Sequence, residues 1–215
     1  LKRTDDLDHL PKLFLGLFLC ALSTAFALHA DLGLSPWAVF HQGLAKTAGI
    51  TFGQASILSS VVIILIVSKL GLKIGLGTVL NVIFIGMFVD AFDFLNVIPN
   101  AATIGQGIMM MCLSMLFNAL GSYLYISCEM GCGPRDGLMS VLTQKSGLPV
   151  GLIRGMIELT VFVAGWSLGG QIGLGTVLNV LGIGVCINAV YKMMEFDVGK
   201  VRHRSLGRSL QLMKG

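Results

Sequence analysis

The chain has 215 residues, 54% of them hydrophobic and only 12% charged, with a formal net charge of +4. A soluble domain carries about 25% charged residues, so this chain lacks the polar groups to face water on every side. Its basic residues cluster outside the apolar blocks, where they act as topology determinants; the expected partner is the lipid bilayer and not nucleic acid.

A polar stretch, residues 1–9, precedes the first apolar block, about Leu10 to Ala30. No small-residue cleavage site follows that block, so it reads as an anchoring span and not a removed signal. The second block, Gln54 to Lys69, is short. The third runs from about Gly77 to Ile98 and the fourth from about Thr103 to Cys128. The fifth, Gly151 to Leu168, is again short and holds Arg154 and Glu158. The sixth runs from about Gly175 to Met194, and a basic tail, 196–215, follows it. A membrane helix needs roughly 20 apolar residues, and each block is long enough. Helix is the default because open sheet edges cannot exist in lipid, and no barrel-like alternation is present. The predicted fold is all-α, a polytopic membrane protein of six transmembrane helices.

Two long joints, 31–53 and 129–150, are not ordinary loops. Each has a Gly-x-x-Pro followed by about ten residues of helical character and a Gly. Proline is favoured at a helix start because its missing N–H has no partner there. A short joint helix is therefore predicted at about 35–48 and another at about 134–146, lying at the interface or dipping into the membrane.

An internal repeat organises these elements. Ile74-Gly75-Leu76-Gly77-Thr78-Val79-Leu80-Asn81-Val82 recurs unchanged as Ile172 to Val180, 98 residues later. The same offset aligns Gly33 with Gly131, Pro36 with Pro134, Gly49 with Gly147, Gly53 with Gly151 and Gly86 with Gly184. Phased Gly and Pro across a whole unit mark a duplication. The copies are residues 10–98 and 99–195. With both termini in the cytoplasm, 14 of the 15 Lys and Arg fall on that side and only Lys46 on the other. Three spans per copy is an odd number, so the second copy is predicted to be inverted. Inverted repeats recur in transporters, with the site between them near the midplane.

The copies differ in charge. Arg135 and Asp136 stand where the first copy has Trp37 and Ala38; Arg154 and Glu158 stand where it has Ser56 and Ser60. Glu158 lies roughly 10 Å along its helix at 1.5 Å per residue, where a carboxylate must pair, protonate or meet water. Arg154, four residues earlier, can pair with it. The four charges are either an interfacial salt bridge with its surroundings or a polar cluster for a substrate or proton. Thr78, Thr176, Asn81 and Asn179 serve helix packing or touch a polar substrate from symmetric positions. His41 and Gln42 sit at the outer interface or line a cavity. Trp37 is most simply an interfacial anchor and is also a candidate site residue. Asp90 and Asp93 approach the outer end of their span, and His29 ends the first span near the same face. The five cysteines read as small packing residues; Cys128 and Cys132 have too few partners for a zinc site. No cofactor, metal site or catalytic signature is predicted, so the chain is not expected to be an enzyme.

Leu32-Gly33-Leu34-Ser35-Pro36-Trp37, the Gly75 to Asn81 motif and Gly133-Pro134-Arg135-Asp136-Gly137-Leu138-Met139 resemble the YczE-like family of bacterial membrane proteins, which includes YyaS and is related to the YitT group. The resemblance covers about residues 11–195, and Arg154-x-x-x-Glu158 is similar too. Trp37-Ala38 departs from the more usual Trp-Asp and puts any role for an acid there in doubt. The resemblance implies location in the bacterial inner membrane and adds little about substrate.

The leading expectation is a small transporter or permease with a polar or anionic small-molecule substrate between the repeats. The alternatives are a non-transporting accessory or scaffold for a membrane-associated biosynthetic enzyme, and the substrate-binding subunit of a larger importer. The basic tail would suit anionic lipid or a protein partner. The sequence leaves the oligomeric state open.

Overall fold

The computed structural model describes residues 4–72 and 74–197, with side chains from residue 9 onward. The expected basic tail lies almost wholly outside the described residues. Eight helices follow in order: α1 (Thr4–His29), α2 (Pro36–Ala48), α3 (Phe52–Lys69), α4 (Leu76–Phe94), α5 (Ile104–Ile126), α6 (Pro134–Ser146), α7 (Val150–Ser167) and α8 (Leu174–Met193). No strand occurs among the described residues. Among the described residues all but α2 and α6 are long and apolar enough to cross a membrane, six candidate spans. Their outward faces are apolar: Leu58, Val61, Val62 and Leu65 form an exposed stripe at helical spacing on α3, as Leu152, Met156, Leu159 and Val163 do on α7. In water such stripes would aggregate; in a bilayer they meet acyl chains.

The joint helices lie where the Gly-x-x-Pro pattern placed them. Pro36 and Pro134 open α2 and α6, and Gly49 and Gly147 close them at φ +66° and +68°. That left-handed cap is cheap only without a Cβ. Two predicted ends move. The first helix begins at Thr4, within the stretch read as polar and non-spanning. The third span stops at Phe94 and not at Ile98, because the chain turns at Asn96, where φ is +49°; asparagine tolerates that region better than most residues.

Helices α1 and α5 form the centre and run antiparallel. A methyl group added to Gly16 would lie 2.9 Å from the Gly121 carbonyl oxygen, and one on Gly121 2.8 Å from that of Gly16. Farther along, the Ser114 hydroxyl donates to the Ser23 carbonyl at 2.8 Å and accepts from the Ser23 hydroxyl at 3.1 Å. Ser114 is the repeat counterpart of Gly16, and Gly121 that of Ser23. Small residues at both crossings let the backbones approach, which is how apolar helices associate where lipid offers no hydrophobic drive. Around this pair, α4 packs on α1 and α8 on α5; Phe14 meets Phe84 edge to face at 4.8 Å.

The halves also grip each other. The Gly175 N–H donates to the Leu32 carbonyl at 2.7 Å, and the Gly77 N–H to the Met130 carbonyl at 2.8 Å. Leu32 and Met130, like Gly77 and Gly175, are counterparts at the 98-residue offset. Thus the start of each joint caps the opening of the other copy's last helix. Thr78 adds a bond to the Cys132 carbonyl at 2.6 Å, while Thr176 accepts from the Gly173 N–H at 3.3 Å. Both threonines are buried and serve these joints.

Candidate functional site

The joint helices bring chemistry to the middle of the bundle. A small cavity of about 30 Å³ is lined by Trp37 and His41 from α2, Ser56 and Ser60 from α3, Asn81, Val82 and Ile85 from α4, and Pro134 and Arg135 from α6. Such a volume admits a water or two. Both halves of the chain contribute, the second through Pro134 and Arg135.

Arg135 is its only charged lining residue. It occupies the second residue of α6, and its guanidinium lies 5.4 Å from the centre of the Trp37 ring. Trp37 and Arg135 are repeat counterparts, so the stack joins equivalent positions of the two copies. Among the described residues the guanidinium has no hydrogen bond or ion pair. Arg135 combines depth with access. Surrounding protein lowers its pKa, while Asp136 first, then Cys20, Glu158 and Tyr125, act in the opposite direction. Its side chain is nevertheless exposed. Exposure of the guanidinium reduces the penalty of burial. The charge therefore stays available at every ordinary pH.

His41 is buried, and its Nε2 has no partner. Burial first, and then the Arg135 charge, push its pKa down to about 3. The ring is therefore neutral and offers the cavity either a donor or an acceptor. The Tyr125 hydroxyl is buried on α5 beside the Gly133 backbone, within electrostatic reach of Arg135 but outside the cavity lining. Unsatisfied buried polar atoms are uncommon, and each calls for a cause; the His41 nitrogen beside a cation without an ion pair fits a place that receives a polar solute.

The neutral His41 has a measurable consequence. Its unfolded pKa is near 6.5 and its folded pKa about 3, so the unfolded chain binds more protons below pH 6.5. Stability is full above that pH and is lost as pH falls, by about 2 kcal/mol at pH 5 from this group. The melting temperature of the wild type should fall more steeply between pH 7 and 5 than that of His41→Gln. Parallel curves would mean that the imidazole is not held neutral.

The other candidate residues divide. Asn81 lines the cavity, but its counterpart Asn179 is half-buried on α8 and does not. Trp37 is 7% exposed, so it is no interfacial anchor; its ring is taken by Arg135. Gln42 points elsewhere and accepts from the Gln171 N–H at 2.7 Å, tying α2 to the α7–α8 turn. Arg154 and Glu158 form an ion pair at 2.9 Å along α7, with side chains 61% and 36% exposed, outside the cavity lining. Asp136 is exposed at the start of α6 and is not a lining residue; with burial, its charge raises the Cys132 pKa. Of the four charges only Arg135 lines the cavity. Ser56 and Ser60 were missed as site residues. Their signal was their alignment with Arg154 and Glu158.

Comparison with known proteins places the chain among relatives. A family of unknown function (DUF6198) matches residues 8–192. The "Uncharacterized membrane protein YczE" of Bacillus subtilis is 35% identical over 178 residues, 81% of this chain and 81% of its own length. An "Uncharacterized protein" of Haemophilus influenzae is 35% identical over 173 residues, 80% and 78% of the two chains. The B. subtilis "Uncharacterized protein YyaS" is 24% identical over 185 residues, 84% and 91% of the two. No solved structure matches.

Proposed function

The chain belongs to the YczE-like family of multi-pass membrane proteins, and on that premise we propose that it is a small solute transporter whose substrate is a polar anion bound at Arg135. One observation carries the reading: a cation without a counter-ion among the described residues lines a polar cavity beside an unpaired imidazole nitrogen. The first N–H groups of α6 add to it, since a helix start favours negative charge. Ser56, Ser60 and Asn81 supply neutral donors and acceptors for the rest of the solute. The chain is a carrier in this reading and no reaction is assigned to it.

The reading takes the halves as copies inserted in opposite orientation in the bacterial inner membrane, with both termini cytoplasmic. The unbroken alignment at 98 residues supports it, as do matching lengths of 13 residues for α2 and α6 and 18 for α3 and α7. Cysteines placed at Lys46 and Lys145 should then react with an impermeant maleimide from opposite sides of the membrane. Labelling from one side only would end the inverted arrangement.

Binding is tested by the melting temperature of purified protein with small carboxylates, inorganic phosphate and chloride at constant ionic strength. One class should raise it in a saturable way, and uptake of that anion into proteoliposomes should follow. A flat response to every anion would remove the site. A second reading, a scaffold for a membrane-bound partner, draws on the wide apolar faces that α7 and α8 leave open. That reading expects no anion effect.

A further inference from the structure

We propose that α7 and α8 form a gate that stands open in this structure and closes by the glycine contact that already seals α3 onto α4. The proposal rests on the transport reading but draws on different residues. In the first half, α3 lies against α4, and a methyl group on Gly86 would meet the Gly53 carbonyl oxygen at 2.7 Å. The counterparts are Gly151 and Gly184. A methyl group on either would meet nothing within 4 Å beyond its own stretch of helix, and α7 makes at most marginal contact with α8. Identical residue types at equivalent places are closed in one half and apart in the other.

The difference has a chemical cause. Asp90, near the end of α4, accepts from the Thr51 hydroxyl at 2.5 Å and from the Gly53 N–H at 2.7 Å, latching the start of α3. In the second half Thr51 becomes Pro149, which has no donor, and Asp90 becomes Asn188, which has no charge. The start of α7 therefore has no latch. Its far end is fixed instead. A methyl group on Gly43 of α2 would lie 2.9 Å from the Leu168 Cβ, and Lys46 donates to the Gly169 carbonyl at 3.0 Å. Helix α7 is thus held on α2 at its C-terminal end, while its N-terminal end packs toward α6 through the buried Ile153 and is not fastened to α8, the arrangement of a pivoting lever.

Closure has a consequence for the site. Ser56 and Ser60 line the cavity from the closed helix α3, and their counterparts on α7 are Arg154 and Glu158. Swinging α7 onto α8 would carry that ion pair to the corresponding place beside Arg135. Glu158 would then approach the guanidinium that the solute occupies. Closing one gate and opening the other would exchange access between the two sides.

The test uses the full chain in proteoliposomes. Cysteines at Gly151 and Gly184 are oxidised and the linked peptide is read by mass spectrometry, alongside a Ser23→Cys/Ser114→Cys pair as a contact that exists in this structure. The linked 151–184 peptide should form in the double variant. Gly184→Leu should melt like the wild type, because its surroundings are open, and should increase labelling of a cysteine at Glu158 by a charged maleimide, because the gate is wedged. Absence of the 151–184 link while 23–114 forms would overturn the gate. So would a link through position 184 between two chains, which would mean that a second copy covers this face. The transport reading is judged separately by the anion response: a link without any anion effect keeps the gate and removes the site.

Discussion

Replacing Arg135 with Gln should abolish anion-induced stabilisation while leaving the protein folded. Its guanidinium holds no ion pair among the described residues, so the substitution strands no partner carboxylate. What it loses at home is the stack on Trp37, a cation–π contact of about 0.5–2 kcal/mol. Toward an anion it loses charge-assisted hydrogen bonds of about 1.5–3 kcal/mol each, which corresponds to roughly 10- to 100-fold in affinity. Arg135→Lys should fall between, since it keeps the charge but not the planar fork. Dissociation constants and melting temperatures with and without anion decide the matter. If Arg135→Gln lowers the basal melting temperature and leaves the anion response intact, Arg135 is a structural post and not a binding residue.

The largest loss of stability should come from Gly175→Leu. A methyl group there would already lie 2.6 Å from the Gly33 carbonyl oxygen. The obstacle is backbone, which no rotamer change can move aside. The Gly175 N–H to Leu32 bond, at 2.7 Å, ties the two halves at that spot. Forcing them apart there costs about 1–3 kcal/mol for a modest excess of volume and more for a whole branched side chain. The counterpart Gly77→Leu should be milder, because a first carbon meets the Met130 carbonyl oxygen only at 3.1 Å. Alanine separates the two further: near-normal yield at Gly77 and a clear loss at Gly175. Folded yield after detergent extraction and the melting temperature are the readouts; equal tolerance at the two sites would contradict the packing described.

Much of the fold was legible because lipid leaves a chain few options. A long apolar block must be a helix, and Gly-x-x-Pro with a closing Gly marks a short one. The helix starts and stops of α2 and α6 therefore followed from sequence, whereas the end of α4 depended on the backbone angle of Asn96, a local choice that hydropathy does not register. Within the site, Arg135, Asn81, His41 and Trp37 were visible as polar or amphipathic residues at phased positions, and the cavity gathers all four. Gln42 belonged to the same pattern but bonds to Gln171 from a distant turn. Arg154 and Glu158 were grouped with Arg135 because the first half is neutral at all the corresponding positions and a carboxylate inside a span needs a partner. Arg154 and Glu158 pair with each other outside the cavity lining, while Ser56 and Ser60 line it, because α3 lies against α4 and α7 does not lie against α8, a contact between helices that one strand of text does not display.

The antiparallel pairing of α1 with α5 bears on how the protein is made. Ser23 and Ser114 bond across 91 residues of chain, and Gly175 reaches back to Leu32. At about 5–20 residues per second, a ribosome needs roughly 5–20 s after completing α1 to deliver α5. During that interval Ser23 and the bare backbone at Gly16 have no mate. The first three spans must wait in the bilayer or beside the insertion machinery with their central seam uncovered. A chain stalled after α4 would therefore be a target for membrane quality control, even though every span already made is apolar enough to stay inserted.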